Sequence, residues 1–245
     1  MQGGQDREAK RVLDELMEIP KAKPENVPAA YAFAAIPARY ALERHRWAEA
    51  AALTLHPRSF PWDRFRWGEA MAVFTRTLGA ARSGDIAQAG KEVATLQALH
   101  SALSEAKQDY WADQVEIQRR AAAAWVAQAL GKQEEAVTLM RAAADFESAT
   151  EKQPVTPGPI VPARELLGEL LLDVQQPVQA LTAFEASLRT DPNRFNGLYG
   201  AAHAAELAGD RGKARTYYGN LVALCAQADT ARPALMAAKA FLAKQ

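Results

Sequence analysis

Cysteine is nearly missing. Cys225 stands alone in 245 residues, which excludes an internal disulfide framework, a CxxC redox pair and a thiolate zinc site. Long apolar runs are missing too. The longest uncharged ones, 28-PAAYAFAAIPA-38 and 121-AAAAWVAQAL-130, fall short of the roughly 20 residues that cross a bilayer, so no membrane insertion is expected. Neither sign of charge is in excess: Lys plus Arg and Asp plus Glu number 29 each, which leaves no field to draw in nucleic acid. The glycines never cluster as GxGxxG, GxxxxGK or GxSxG, so a phosphate cradle and a nucleophile elbow are both absent. His45, His56, His100 and His203 show no HxH, HxxxH or HExxH spacing, and neither a metal nor a cofactor is expected. The N-terminus, MQGGQDREAKR, has charges but no apolar core behind them and is not a signal peptide. That suits a cytoplasmic chain, or a periplasmic one whose upstream signal has been removed.

What remains is helix. A hydrophobic fraction of 49% with 24% charged residues is enough to build a core. In 161-VPARELLGELLLDVQQPVQALTAFEASLRTDPN-193, Leu166, Leu167, Leu170, Leu171 and Val174 recur at helical spacing, as do Val178, Leu181, Phe184 and Leu188. Pro177 separates the two sets. It belongs in the first turn of the second helix, where its missing N–H has no helical partner to lose. The segment is a helical hairpin, and its pattern repeats. Small residues suited to close helix packing stand at Ala9, Ala50, Ala89, Ala136, Ala180 and Ala214, at intervals of 41, 39, 47, 44 and 34 residues. Five residues before each is a turn position, filled by Gly4, Gly84, Gly131 and Gly209 and, in the two departures, by His45 and Gln175. Glycine suits a helix end because it takes a left-handed backbone without a Cβ penalty.

Arg164-x2-Leu167-Gly168-x2-Leu171, then Ala180-x3-Phe184, then Pro192, resembles the tetratricopeptide repeat, with Arg in place of its Trp and Leu in place of its Tyr. Leu198-x2-Ala201-Ala202-x2-Ala205 and Ala214-x3-Tyr218 follow in register. Earlier hairpins keep the turn but depart in their first helices, at Arg120, Ala123, Ala124 and Ala127 and at Val73, Arg76, Thr77 and Ala80. The resemblance covers most of the chain, most fully from about residue 160, and extends to the C-terminal part of larger bacterial proteins of that family. It implies an all-α fold: a right-handed α-solenoid of stacked helical hairpins with a C-terminal capping helix. One domain, 1–245, would hold a half repeat at 1–25, hairpins at 28–57, 67–103, 109–150, 161–191 and 194–226, and a cap at 232–243.

The ends and the long connections carry further expectations. Residues 3–19 supply the turn and second helix of a repeat without its first helix. Val12, Leu13, Leu16 and Met17 would then need upstream sequence or a second copy to cover them. At the other end, Leu235, Met236, Ala238 and Leu242 form the inward stripe of the cap. The connections 56-HPRSFPWDRFRW-67 and 151-EKQPVTPGPIVP-162 are long for a compact array, and such loops often serve function. The simpler reading is that their aromatics pack on neighbouring helices, with Tyr110 and Trp111 covering the first of them.

On the tetratricopeptide arrangement one face of each first helix points into a concave groove. That face carries Gln118, Ala121, Trp125 and Gln128 in one hairpin, Glu165, Glu169 and Asp173 in the next, and Asn196, Tyr199, His203 and Glu206 in the last. The candidate partner-binding residues are therefore Gln118, Trp125, Gln128, Glu165, Glu169, Asp173, Asn196, Tyr199 and His203. The carboxylates would steer a basic or amide-rich peptide and the aromatics would supply rigid contact area. A solvated acidic helix face is the plainer reading of the three acids. No catalytic residue is assigned. The expected function is a non-enzymatic scaffold for a protein or peptide. The alternatives are an all-helical hydrolase using the groove carboxylates, or a module that self-associates through its N-terminal half repeat.

Overall fold

The computed structural model describes residues 1–150 and 159–244. The expected loop at 151–162 therefore lies mostly outside the described residues. Those residues are all-helical, and successive helices pack on their neighbours. The chain divides into two compact units: an N-terminal unit of Val12–Ala163, and a C-terminal unit that joins Met1–Arg11 to Arg164–Gln245.

The N-terminal unit contains α2 (Val27–Leu42), α3 (Trp47–Ala51), α4 (Arg66–Ser83), α5 (Ile86–Glu105), α6 (Asp109–Ala129) and α7 (Gln133–Ala149). The C-terminal unit contains α8 (Ala163–Asp173) from its second residue on, α9 (Pro177–Thr190), α10 (Phe195–Leu207), α11 (Arg211–Leu224) and α12 (Pro233–Ala243). The first helix, α1 (Asp6–Met17), crosses the division between Arg11 and Val12.

One turn chemistry builds every hairpin. Gly4, His45, Gly84, Gly131, Gln175 and Gly209 all have positive φ, between 51° and 89°. In the five hairpins the next residue sends its N–H back five positions: Arg46 to Ala41, Asp85 to Ala80, Lys132 to Ala127, Gln176 to Leu171 and Asp210 to Ala205, at 2.8–2.9 Å. These bonds satisfy carbonyls that the first helix leaves without donors at its C-terminus. Asp85 and Asp210 then cap the second helix through Gln88 N (3.0 Å) and Lys213 N (2.9 Å). Ala50, Ala89, Ala136, Ala180 and Ala214 are 0% exposed, as close helix approach requires; Ala9 is half-buried. Since Gln175 holds φ 60°, Gln175→Gly will stabilise the chain by about 0.5–1 kcal/mol in urea unfolding. A loss of stability would show that the side chain's own contacts outweigh the backbone cost.

The departures from the repeat pattern have local causes. Arg76, where an apolar residue is usual, forms a fork with Glu92 at 2.7 and 3.0 Å, and Gln88 also donates to that carboxylate at 3.0 Å. Thr77 satisfies its hydroxyl on the Val73 carbonyl at 2.8 Å. The hairpin at 28–57 has a second helix of only five residues, after which the chain turns into the aromatic loop. There Phe60, Trp62, Phe65 and Trp67 are buried; Phe60 meets Phe33 edge-on at 5.7 Å, and Trp111 stacks on Trp67 at 4.1 Å. The loop aromatics and Trp111 thus serve packing. In α12, Leu235 and Ala238 are buried, but Met236 faces outward at 54% exposure and does not belong to the inward stripe.

In α1, Val12 and Met17 are each 40% exposed, Leu13 and Leu16 are half-buried, and among Met1–Met17 only Gly4 and Asp6 are buried. No helix among the described residues is long and apolar enough to cross a membrane.

Candidate functional site

The nine residues expected to line a groove separate into three groups. Two are core. Trp125 is 3% exposed, and the Arg82 guanidinium lies 4.4 Å over its ring. Arg82 also covers Trp47 at 5.1 Å, and Trp47 stacks on His45 at 4.8 Å. A cation between two indoles holds that corner together, and Trp125 offers no surface to a partner. Glu165 is 0% exposed, and its two oxygens accept from Arg194 Nε and Nη2, both at 2.8 Å. It is the buried half of an ion pair, so the reading of Glu165, Glu169 and Asp173 as one solvated acidic face is corrected at its first member.

A second group lies at intermediate or full exposure without being gathered into a described cavity. Glu169 and Asn196 are half-buried and Asp173 is exposed. Gln118 and Gln128 on α6 are half-buried, yet their amide oxygens are buried and accept no hydrogen bond among the described residues. Buried acceptors of this kind are costly to leave unmet.

The third group is brought together. Tyr199 and His203, one turn apart on α10, line a cleft of about 690 Å³ in the C-terminal unit. Glu206 continues the same face of α10, and Tyr218 of α11 and Phe241 of α12 complete the lining. The rings pack as a continuous sheet of aromatic surface: Tyr199 with His203 at 5.8 Å, Tyr199 with Tyr218 at 6.1 Å, Tyr218 with Phe241 at 4.9 Å. The Tyr218 hydroxyl donates to Glu206 Oε2 at 2.9 Å. Burial raises the Tyr218 phenol well above its ordinary value, and its bond to the Glu206 carboxylate adds to the shift. Burial raises Tyr199 as well, with the charge of Glu206 acting in the same direction. Both phenols are therefore protonated donors at neutral pH.

Arg211 and Lys244 line the same cleft, are exposed, and make no ion pair among the described residues. Glu206 keeps its charge while accepting from Tyr218, so the lining sets two cations, Arg211 and Lys244, against one carboxylate. The cleft can do two things chemically: bury a flat or apolar side chain against the rings, and donate hydrogen bonds to a neighbouring carbonyl or carboxylate. Among the described residues no group of three or more His, Cys, Asp and Glu side chains could hold a metal ion.

Arg211, Phe241 and Lys244 line the cleft without having been singled out by spacing, and Tyr218 was singled out only as a repeat position. Tyr218 occupied a core aromatic position of the repeat, and only its hydroxyl hinted at a second role. Phe241 and Lys244 come from the cap, whose placement depends on tertiary packing. Compared with known proteins, the chain matches no family model, no curated protein and no solved structure.

Proposed function

We propose that this chain is a right-handed, tetratricopeptide-like α-solenoid that binds a protein or peptide segment and performs no chemistry on it. The all-helical, neighbour-on-neighbour packing and the five like turns support the solenoid. The observation that carries the binding role is the aromatic cleft of α10, α11 and α12, where Tyr199, His203, Arg211 and Lys244 converge on an open space. A cleft of this size accepts one or two side chains of an extended segment, and its surplus of donors favours a segment that presents carbonyl or carboxylate oxygens. The aromatic lining supplies contact area at small cost in side-chain entropy.

Selection of a displayed random-peptide library on the whole chain tests this. Enriched peptides will bind at least about tenfold more weakly to Tyr199→Ala and His203→Ala chains, as expected for anchors in a desolvated pocket. Leu207→Ser, at an exposed site on α10 outside the cleft, will leave affinity unchanged. Equal binding to all three variants would remove the cleft from the reading.

A further inference from the structure

The C-terminal unit is built around a segment from the opposite end of the chain. Three features hold Gln2–Asp6 there, and each depends on residue type. Gly4 has φ 74°, and a Cβ on it would stand 2.8 Å from the Ala228 Cβ, so only glycine fits. Asp6 is 2% exposed and receives Arg232 Nε at 2.9 Å, Arg232 Nη2, and the Thr230 hydroxyl at 2.7 Å. Gln2 Oε1 accepts the Phe195 N–H at 2.6 Å and so caps α10, whose own N-cap residue, Arg194, makes no side-chain cap bond.

The receiving surface is equally specific. The Asp229 carboxylate accepts from the first backbone N–H groups of α1, Asp6 at 2.7 Å, Arg7 at 3.0 Å and Glu8 at 3.3 Å, while its own N–H donates to Gly4 O at 3.2 Å. Arg232 is 8% exposed, lies 4.3 Å over the Phe195 ring, and also donates to Met1 O at 3.0 Å. Past Asp6 the hold fades: Arg7, Glu8, Lys10, Arg11 and Val12 are exposed. Beyond α1 the backbone is bonded again, Ile19 O to His56 at 2.9 Å and Pro20 O to Ser59 at 3.2 Å; an element with so little apolar burial along its length belongs to the low-stability end of a fold.

We propose that the surface formed by Phe195, Ala228, Asp229, Thr230 and Arg232 is a recognition site for the Gln2–Asp6 segment, filled here in cis, and that it accepts the same segment from a second copy of the chain. The complementarity is the argument for that occupant. A buried guanidinium faces a carboxylate, a carboxylate faces free helix N–H groups, and an alanine methyl fits where a side chain is absent. Exchange of an identical element between copies needs no new contacts, only release of the resident one.

A fluorescent peptide of residues 1–17 tests the site on the full-length chain. In the Asp6→Asn chain the resident segment is weakened while Arg232 is kept. That chain will bind the wild-type peptide about tenfold to hundredfold more tightly than the Asp6→Asn peptide, the span of one lost charge-assisted contact. Adding Arg232→Met to the chain will abolish the difference. Equal affinity for the two peptides, or no binding to a folded Asp6→Asn chain, overturns the proposal. Should Asp6→Asn prevent folding, a chain carrying a protease site within residues 20–25 decides instead. After cleavage, excess wild-type peptide will displace the resident fragment and the Asp6→Asn peptide will not; equal displacement by both overturns it.

Discussion

Arg194→Ala will cost the C-terminal unit about 3–5 kcal/mol in urea unfolding, because it leaves a carboxylate that is 0% exposed without its guanidinium. Glu165 gives up its hydration on folding and is repaid by a two-point fork to Arg194 at 2.8 Å each. The packing around it is tight: a Cβ on Gly197 would come within 3.0 Å of Glu165 Oε2, so water has little room to substitute. The pair itself is expected to add little net stability over an apolar one of similar volume. Glu165→Met combined with Arg194→Leu should therefore recover at least half of the loss, since no buried charge is then orphaned. An Arg194→Ala chain within about 1 kcal/mol of wild type would mean that Glu165 finds water or another cation on its own.

Glycine substitutions divide sharply by what a methyl group would meet. At Gly79 a Cβ would stand 2.2 Å from Ala51 N and 2.7 Å from Trp47 O, all backbone that no rotamer change can move. At Gly200 it would press on the Phe184 ring at 2.3–2.8 Å; at Gly168 the same ring lies at 2.7–2.8 Å, and the ring is fully buried. Alanine is the better helix former by about 1 kcal/mol, yet overpacking costs about 1–3 kcal/mol or more, so both Gly79→Ala and Gly200→Ala will destabilise. Gly79→Ala will do so more, since its obstacle is main chain. Gly90 and Gly219 are also helical, and nothing lies within 4 Å of a Cβ on either. Gly90→Ala and Gly219→Ala will stabilise by about 0.5–1 kcal/mol each. Thermal melts of the four variants check the ordering, and a stabilised Gly79→Ala would show that the close approach of α3 to α4 is not maintained in solution.

The parts of the fold that were legible in the sequence are those fixed by short-range backbone chemistry. A turn residue that must take positive φ, followed five positions later by a residue that must be small, marks each hairpin whatever surrounds it. His45 and Gln175 kept the geometry even where glycine was missing. The candidate site was legible only in part. Tyr199 and His203 were placed on one groove-facing helix face by helical period together with the tetratricopeptide resemblance, and they do share a cleft. Trp125 and Glu165 were placed by the same reasoning, but both are buried, with Arg82 of α4 over the first and Arg194, just before α10, paired with the second. Helical period cannot report which cation arrives from 43 or 29 residues away. Nor can it show that Asp6 meets Arg232, a pairing separated by 226 positions.

That separation also bears on synthesis. A ribosome adds about 5–20 residues each second, so the aspartate at position 6 emerges roughly 11–45 s before its arginine is made, 226 codons later. Throughout that interval the leading helix lacks the surface that fastens it, while the hairpins behind it are already free to fold. The later-made arginine completes the pairing of the earlier aspartate, so the C-terminal unit closes only once both segments exist.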